Sequence, residues 1–293
     1  MILPLNPQSK CPCGSGKAAI GCCVTERGFR KPPEVTSPPP PVTGIGQPGC
    51  YAASTLNCGG GLSREHYLSK ALLEYLNMNG DLKVGGMPWL DAGALRPVAP
   101  NALAARVLCR RHNEALSRLD SIAVKFFRAL GHIEHTRPQK RTCFLRCGHD
   151  LERWLLKLLC GVTASMDMIG DASVDSSLPG SWPSILFGTS DFDSMQGLYM
   201  CIEKGYSSTK PGGVCIQPIT GRGRITGMGC WFDGFEVVLS MYGLRDRRLD
   251  GRGFAYRPLE IYELGEDYER SVFFSWDGPA DLGTISLTPK RAS

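Results

Sequence analysis

The sequence predicts an α+β protein: a small cysteine knuckle, a mixed unit with a helical extension, and a β-rich C-terminal domain. Three observations carry this. Four cysteines fall within thirteen positions among glycine and proline: Cys11, Cys13, Cys22 and Cys23. From His149 to Met168, Leu151, Trp154, Leu155, Leu158 and Leu159 recur at the spacing of one helix face. After Met195, short alternating apolar runs are bounded by glycines, the pattern of strands and hairpin turns.

Residues 1–30 form the knuckle. It reads Cys11-Pro12-Cys13-Gly14-Ser15-Gly16-Lys17, then Gly21-Cys22-Cys23 after a short gap. This spacing can bring four thiolates around one tetrahedral zinc. Gly14 to Lys17 is not a phosphate loop. The Walker pattern needs glycine where Cys11 stands and Ser or Thr where Ala18 stands. Residues 31–43 are proline-rich and read as a semi-rigid spacer of roughly 3 Å per residue. A second unit spans 44–131. It opens with glycine-rich turns, continues into a helix over 65–77 striped by Leu68, Leu72, Leu73 and Leu76, and passes through a loop over 79–100. A further helix follows over 113–130. Residues 132–194 read as a helical connector that holds the 149–168 helix and an irregular stretch over 170–194. The β-rich domain covers 195–293, with strands near 197–202, 214–219, 224–232, 235–241, 259–264, 271–276 and 284–287. No internal repeat is present.

Apolar content of 42 % supports a packed core in a chain of 293 residues. The sequence has no apolar run long enough to span a bilayer and no secretory hydrophobic region, so a cytoplasmic protein without a membrane partner is expected. Thirteen cysteines, an odd number, fit reduced thiols and metal ligands better than a disulfide framework. The net charge of +5 is modest, but its distribution is uneven. Between Arg106 and Lys157 twelve Lys and Arg face five Asp and Glu. Such a segment suits a polyanion partner, or equally a solvated helix face.

A chemical constellation lies between Cys50 and Asp120. Cys50 and Cys58 precede Gly59-Gly60-Gly61-Leu62-Ser63-Arg64-Glu65-His66. Asn101 follows, then Cys109-Arg110-Arg111-His112-Asn113. These segments resemble the HNH (ββα-metal) endonuclease family, in the subgroup with a zinc pair on each side of the catalytic hairpin. The N-terminal cysteines resemble the SEC-C zinc motif, a docking module. The HNH resemblance covers about 70 residues. It departs from the family in the seven residues between Cys50 and Cys58, in the distance from Asn101 to Cys109, and in an asparagine at the last position.

The resemblance implies roles. His66 would be the general base that activates water for phosphodiester cleavage. Glu65 would hold a catalytic magnesium or manganese ion, with Asn113 as its second ligand. Asn101 would orient the base. Cys50, Cys58, Cys109 and His112 would form a second structural zinc site. A competing assignment makes His112 the catalytic metal ligand instead. Arg64, Arg110, Arg111 and Arg118 would contact phosphates, and Arg141, Arg146 and Arg153 would extend that face. The function implied is a metal-dependent DNA endonuclease, a nickase as a monomer, in the context of prokaryotic anti-phage defence. Two rivals stay open: an inactive HNH-fold nucleic-acid-binding protein, and a zinc-knuckle adaptor that docks a protein partner. The residues themselves also allow a plainer reading, with Ser63 capping a helix and Glu65 favoured by its dipole. His132, His135, Cys143, Cys147 and His149 form a further group whose spacing matches no metal pattern.

Overall fold

The computed structural model describes residues 6, 8–26, 28–76, 83–85, 91, 94–97, 99, 103–135, 141–166, 178–202, 213–221, 223–232, 235–249, 251–264, 269–280 and 283–287. In chain order these give a knuckle hairpin, β1 (Val24–Thr25) and β2 (Gly28–Phe29), then β3 (Leu62–His66) and α1 (Lys70–Leu76). Next come β4 (Lys83–Gly85), β5 (Leu95–Pro97), β6 (Ala104–Cys109), α2 (Arg110–His135), β7 (Arg141–Cys147), α3 (Gly148–Met166) and α4 (Ser181–Leu186). The rest is strand: β8 (Gly197–Cys201), β9 (Gly213–Gly221), β10 (Arg224–Phe232), β11 (Phe235–Ser240), β12 (Arg248–Leu249), β13 (Arg252–Tyr256), β14 (Glu260–Leu264), β15 (Glu269–Ser275) and β16 (Thr284–Leu287).

The protein is a mixed α and β structure, and its C-terminal third is β-rich. An eight-stranded sheet has the order β12-β13-β8-β11-β10-β9-β4-β5, and a four-stranded sheet the order β16-β14-β15-β7. These sheets cross the boundaries drawn from sequence. β4 leaves the 44–131 unit to pair in parallel with β9, and β7 leaves the 132–194 connector to pair in parallel with β15. Strand β7 lies where the sequence suggested a helical connector; Cys143, Leu145 and Cys147 alternate along it, and Leu145 and Cys147 are buried.

Helix α3 is the hub. Its apolar residues Leu151, Trp154, Leu155, Leu158 and Leu159 are buried, each side chain contributing about 1.5–3 kcal/mol. Its polar residues are buried as well. Asp150 pairs with Arg153 at 2.9 Å, and Glu152 pairs with Arg257 at 2.7 Å. Gly197 permits the second pair: a Cβ there would stand 2.1 Å from Glu152 Oε1, and its φ of +127° suits glycine.

The helix expected over 65–77 begins at Lys70. Residues up to His66 pair with β6 instead, and the N–H of Leu72 donates to Ser69 Oγ at 3.1 Å. Ser63 is therefore no cap; its hydroxyl donates to the Leu108 carbonyl from within β3.

The proline-rich stretch is not a free spacer but a strap laid on the core. The N–H of Glu34 donates to Asp150 Oδ1 at 2.9 Å, and buried Thr36 donates to the Leu186 carbonyl at 3.0 Å. The knuckle is docked too. Leu145 N–H donates to the Pro12 carbonyl, and Cys11, Ala19 and Cys23 pack with Leu145 and Phe273.

Candidate functional site

The site is built where β3, β6 and α2 meet. Gly60 (φ +78°) and Gly61 (φ +70°) turn the chain into β3 through left-handed backbone that favours glycine. β3 pairs antiparallel with β6, and α2 begins at the residue after β6 ends. Cys109 closes the strand and His112 opens the helix, so both face the turn that carries Cys50 and Cys58.

Cys50, Cys58, Cys109 and His112 are all buried, and their ligand atoms lie within 4.8 Å of one another. His112 Nδ1 is 3.7 Å from Cys50 Sγ, 3.7 Å from Cys58 Sγ and 3.1 Å from Cys109 Sγ. Zinc bonds of about 2.3 Å to sulfur and 2.0–2.1 Å to nitrogen place tetrahedral ligand atoms about 3.5–3.8 Å apart. The two 3.7 Å separations fit that polyhedron, and the 3.1 Å from Cys109 Sγ to His112 Nδ1 is shorter than it. Thr55 sets the imidazole tautomer. Its hydroxyl donates to the Ala52 carbonyl at 2.8 Å, so at 2.9 Å it accepts from His112 Nε2–H and leaves Nδ1 as the lone pair facing the thiols. Backbone N–H groups reach the sulfurs: Cys109 N–H donates to Cys50 Sγ, and Gly59 N–H to Cys109 Sγ. Burial pushes the Cys50 thiol up to about 12 and brings His112 down to about 4, the latter helped by Arg111. A bound cation is what makes buried thiolates favourable.

The knuckle forms a second group, Cys11, Cys13, Cys22 and Cys23. Cys13 and Cys22 sulfurs are 3.5 Å apart, and Cys22 and Cys23 sulfurs 3.7 Å apart. These are ligand-polyhedron distances, far beyond a disulfide bond of about 2.05 Å. Burial alone would raise the Cys13 thiol, but hydrogen bonds from Ser15, Cys11 and Cys22 bring it down to about 6. Both groups can hold a metal ion such as zinc.

The other implied site residues are placed differently. Glu65 is buried with Lys157 Nζ 2.6 Å from its Oε1, close enough for an ion pair but outside hydrogen-bond geometry. The same ammonium donates to both Asp120 oxygens at 2.7 and 2.8 Å. Burial alone would lower the Lys157 pKa, and the two carboxylates more than reverse it. Burial raises the Glu65 carboxyl against the pull of Lys157. Glu65 thus already has an internal cation, and the described residues do not fit a divalent ion held by Glu65. The Asn113 amide donates to Ser63 Oγ at 3.0 Å, which joins the first turn of α2 to β3. His66 is half-buried, and its Nε2 has no hydrogen-bond partner among the described residues. Asn101 lies outside the described residues.

Of the cations, Arg64, Arg110 and Arg118 are exposed. Arg111 is committed elsewhere: it donates to Asn57 Oδ1 and to the strap carbonyls of Pro39 and Pro41. Arg146 donates to the Leu145 and Lys125 carbonyls, and Arg153 is buried against Thr36 and Asp150. Neither is available to extend a binding face as the sequence suggested. The side chain of Arg141 lies outside the described residues, as do those of His132 and His135. His149 serves the core: its Nε2 accepts the Asp277 N–H, and its Nδ1 is 3.1 Å from Glu152. Cys143 and Cys147 join no metal-holding group among the described residues.

Comparison with family models, curated proteins and solved structures returns no match. Among the described residues, no helix is long and apolar enough to cross a membrane.

Proposed function

We propose that this chain acts on nucleic acid, as an HNH-type endonuclease whose hairpin and helix are pinned by a structural zinc. One observation carries this reading. The buried Cys50, Cys58, Cys109 and His112 cluster ties the turn that leads into β3 to the end of β6 and the first turn of α2, and His66 on β3 and Asn113 on α2 are the positions this reading uses. His66 Nε2 is buried and has no hydrogen-bond partner among the described residues, so a water admitted there would complete its hydrogen bonding and be the one it activates. In this reading His66 takes the proton from an attacking water, and exposed Arg110 and Arg118 draw the phosphates in. The knuckle is the docking module, with Ile20 exposed on it.

The Glu65–Lys157 pair favours a second reading, in which the same scaffold binds nucleic acid without cutting it. A supercoiled-plasmid assay separates the two, with magnesium, manganese or EDTA, and wild type beside His66→Ala. Nicking by wild type alone supports the nuclease and reads out its divalent-ion requirement. Plasmid binding with no nicking under any metal supports the binding protein. Equal nicking by both proteins removes His66 from the chemistry.

A further inference from the structure

We infer that the exposed arc of α2 is a phosphate-tracking rail for a nucleic-acid backbone, reaching beyond the hairpin junction to Lys125 and Arg128. This deepens the nucleic-acid reading above and does not depend on cleavage.

Over 110–130, every exposed residue of α2 falls on one side: Arg110, Glu114, Ser117, Arg118, Ser121, Lys125 and Arg128. At 3.6 residues per turn these seven occupy an arc of about 100°. Four are cations and one is an acid. From Arg110 to Arg128 the line runs about 27 Å at 1.5 Å per residue. Glu114 stands four residues from both Arg110 and Arg118 yet forms no ion pair with either among the described residues. None of the four cations is spent on a described side chain, in contrast to Arg111, Arg153 and Lys157.

The opposite face explains why the arc is held straight. Leu116, Leu119, Ala123, Phe126 and Leu130 are buried in the core, so the helix cannot roll. The arc itself bears no large apolar side chain. A membrane-surface helix inserts such residues, and a protein interface centres on them. A line of cations with only serines and one glutamate between them fits repeated phosphates, read without regard to sequence.

The test uses the full chain with a fluorescein-labelled duplex in EDTA, so that cleavage plays no part. The rail variant is Arg118→Ala/Lys125→Ala/Arg128→Ala. The charge-matched control is Lys83→Ala/Arg245→Ala/Arg248→Ala, which removes exposed cations elsewhere. Each phosphate contact contributes about 0.9 to the slope of log K against log salt. The rail variant should therefore lose about 2–3 from that slope and bind at least ~10-fold more weakly at 0.1 M salt, with melting unchanged because the residues are exposed. An unchanged slope, or an equal loss in the control, overturns the rail. Plasmid nicking that survives in the rail variant with full affinity would sink the rail and keep the nuclease. Rail-dependent binding without nicking would do the reverse.

Discussion

The two cysteine groups share a chemistry and differ in what they hold. The knuckle gathers its ligands from thirteen adjacent positions, and Cys13 and Cys22 are only half-buried. The junction group gathers Cys50, Cys58, Cys109 and His112 across 63 positions and buries them all. Loop-closure entropy does not account for the contrast, because a five-fold longer loop costs only about 1–2 kcal/mol more. The contrast lies in what each cluster anchors. The knuckle fastens a two-stranded hairpin to Leu145 and Phe273, whereas the junction fastens the Cys50–Cys58 turn to the β6–α2 boundary in the main core.

Cys109→Ser should sharpen this contrast most. It removes one junction ligand and should cost about 5 kcal/mol, which is about 10–20 °C in melting temperature for a chain of this size. Metal analysis should fall from two zincs per chain to one. A Cys109→Ser protein that melts like wild type would erase the distinction. Next comes Lys157→Met, which leaves Glu65 and Asp120 without their shared cation and should cost about 3–5 kcal/mol in urea unfolding. Adding Glu65→Gln and Asp120→Asn should restore most of that loss; failure to do so would mean that Lys157 matters for its packing. Cys22→Ser should also cost one zinc, yet move melting by no more than about 3 °C. Hydrogen exchange should quicken over residues 10–30 alone, and spread beyond β7 would show that the knuckle is part of the core. The smallest effect belongs to Arg111→Ala, which frees the strap from Pro39 and Pro41 and should cost about 1 kcal/mol.

The knuckle was legible from its cysteine spacing, whereas the junction group was named only through the resemblance, since seven residues between Cys50 and Cys58 match no ligand spacing by themselves. The antiparallel pair of β3 and β6 was not legible from the residues, which suggested a helix from 65 and a loop over 79–100 where the strands and their connection lie. Nor was the polar face of α3. Asp150, Glu152, Arg153 and Lys157 look like a solvated stripe, and only tertiary structure supplies Arg257, Glu65 and Asp120 as their partners. The same blindness overstated the basic segment, because Arg111, Arg146, Arg153 and Lys157 count as charge in sequence but are committed inside the fold. Thr55 also escaped notice. A lone threonine carries no signal until a histidine is folded against it.

The parallel pairing of β7 with β15 and of β4 with β9 has a consequence for synthesis. A ribosome releases β7 well over a hundred residues before β15 exists. Until then one edge of β7 stays without its ladder, and β4 waits in the same way for β9. The junction cluster can take up its metal early, as soon as His112 emerges, and hold the nascent hairpin while the rest is made. A chain terminated before 269 would carry a loaded cluster on an unfinished sheet, a species for proteases and chaperones to clear.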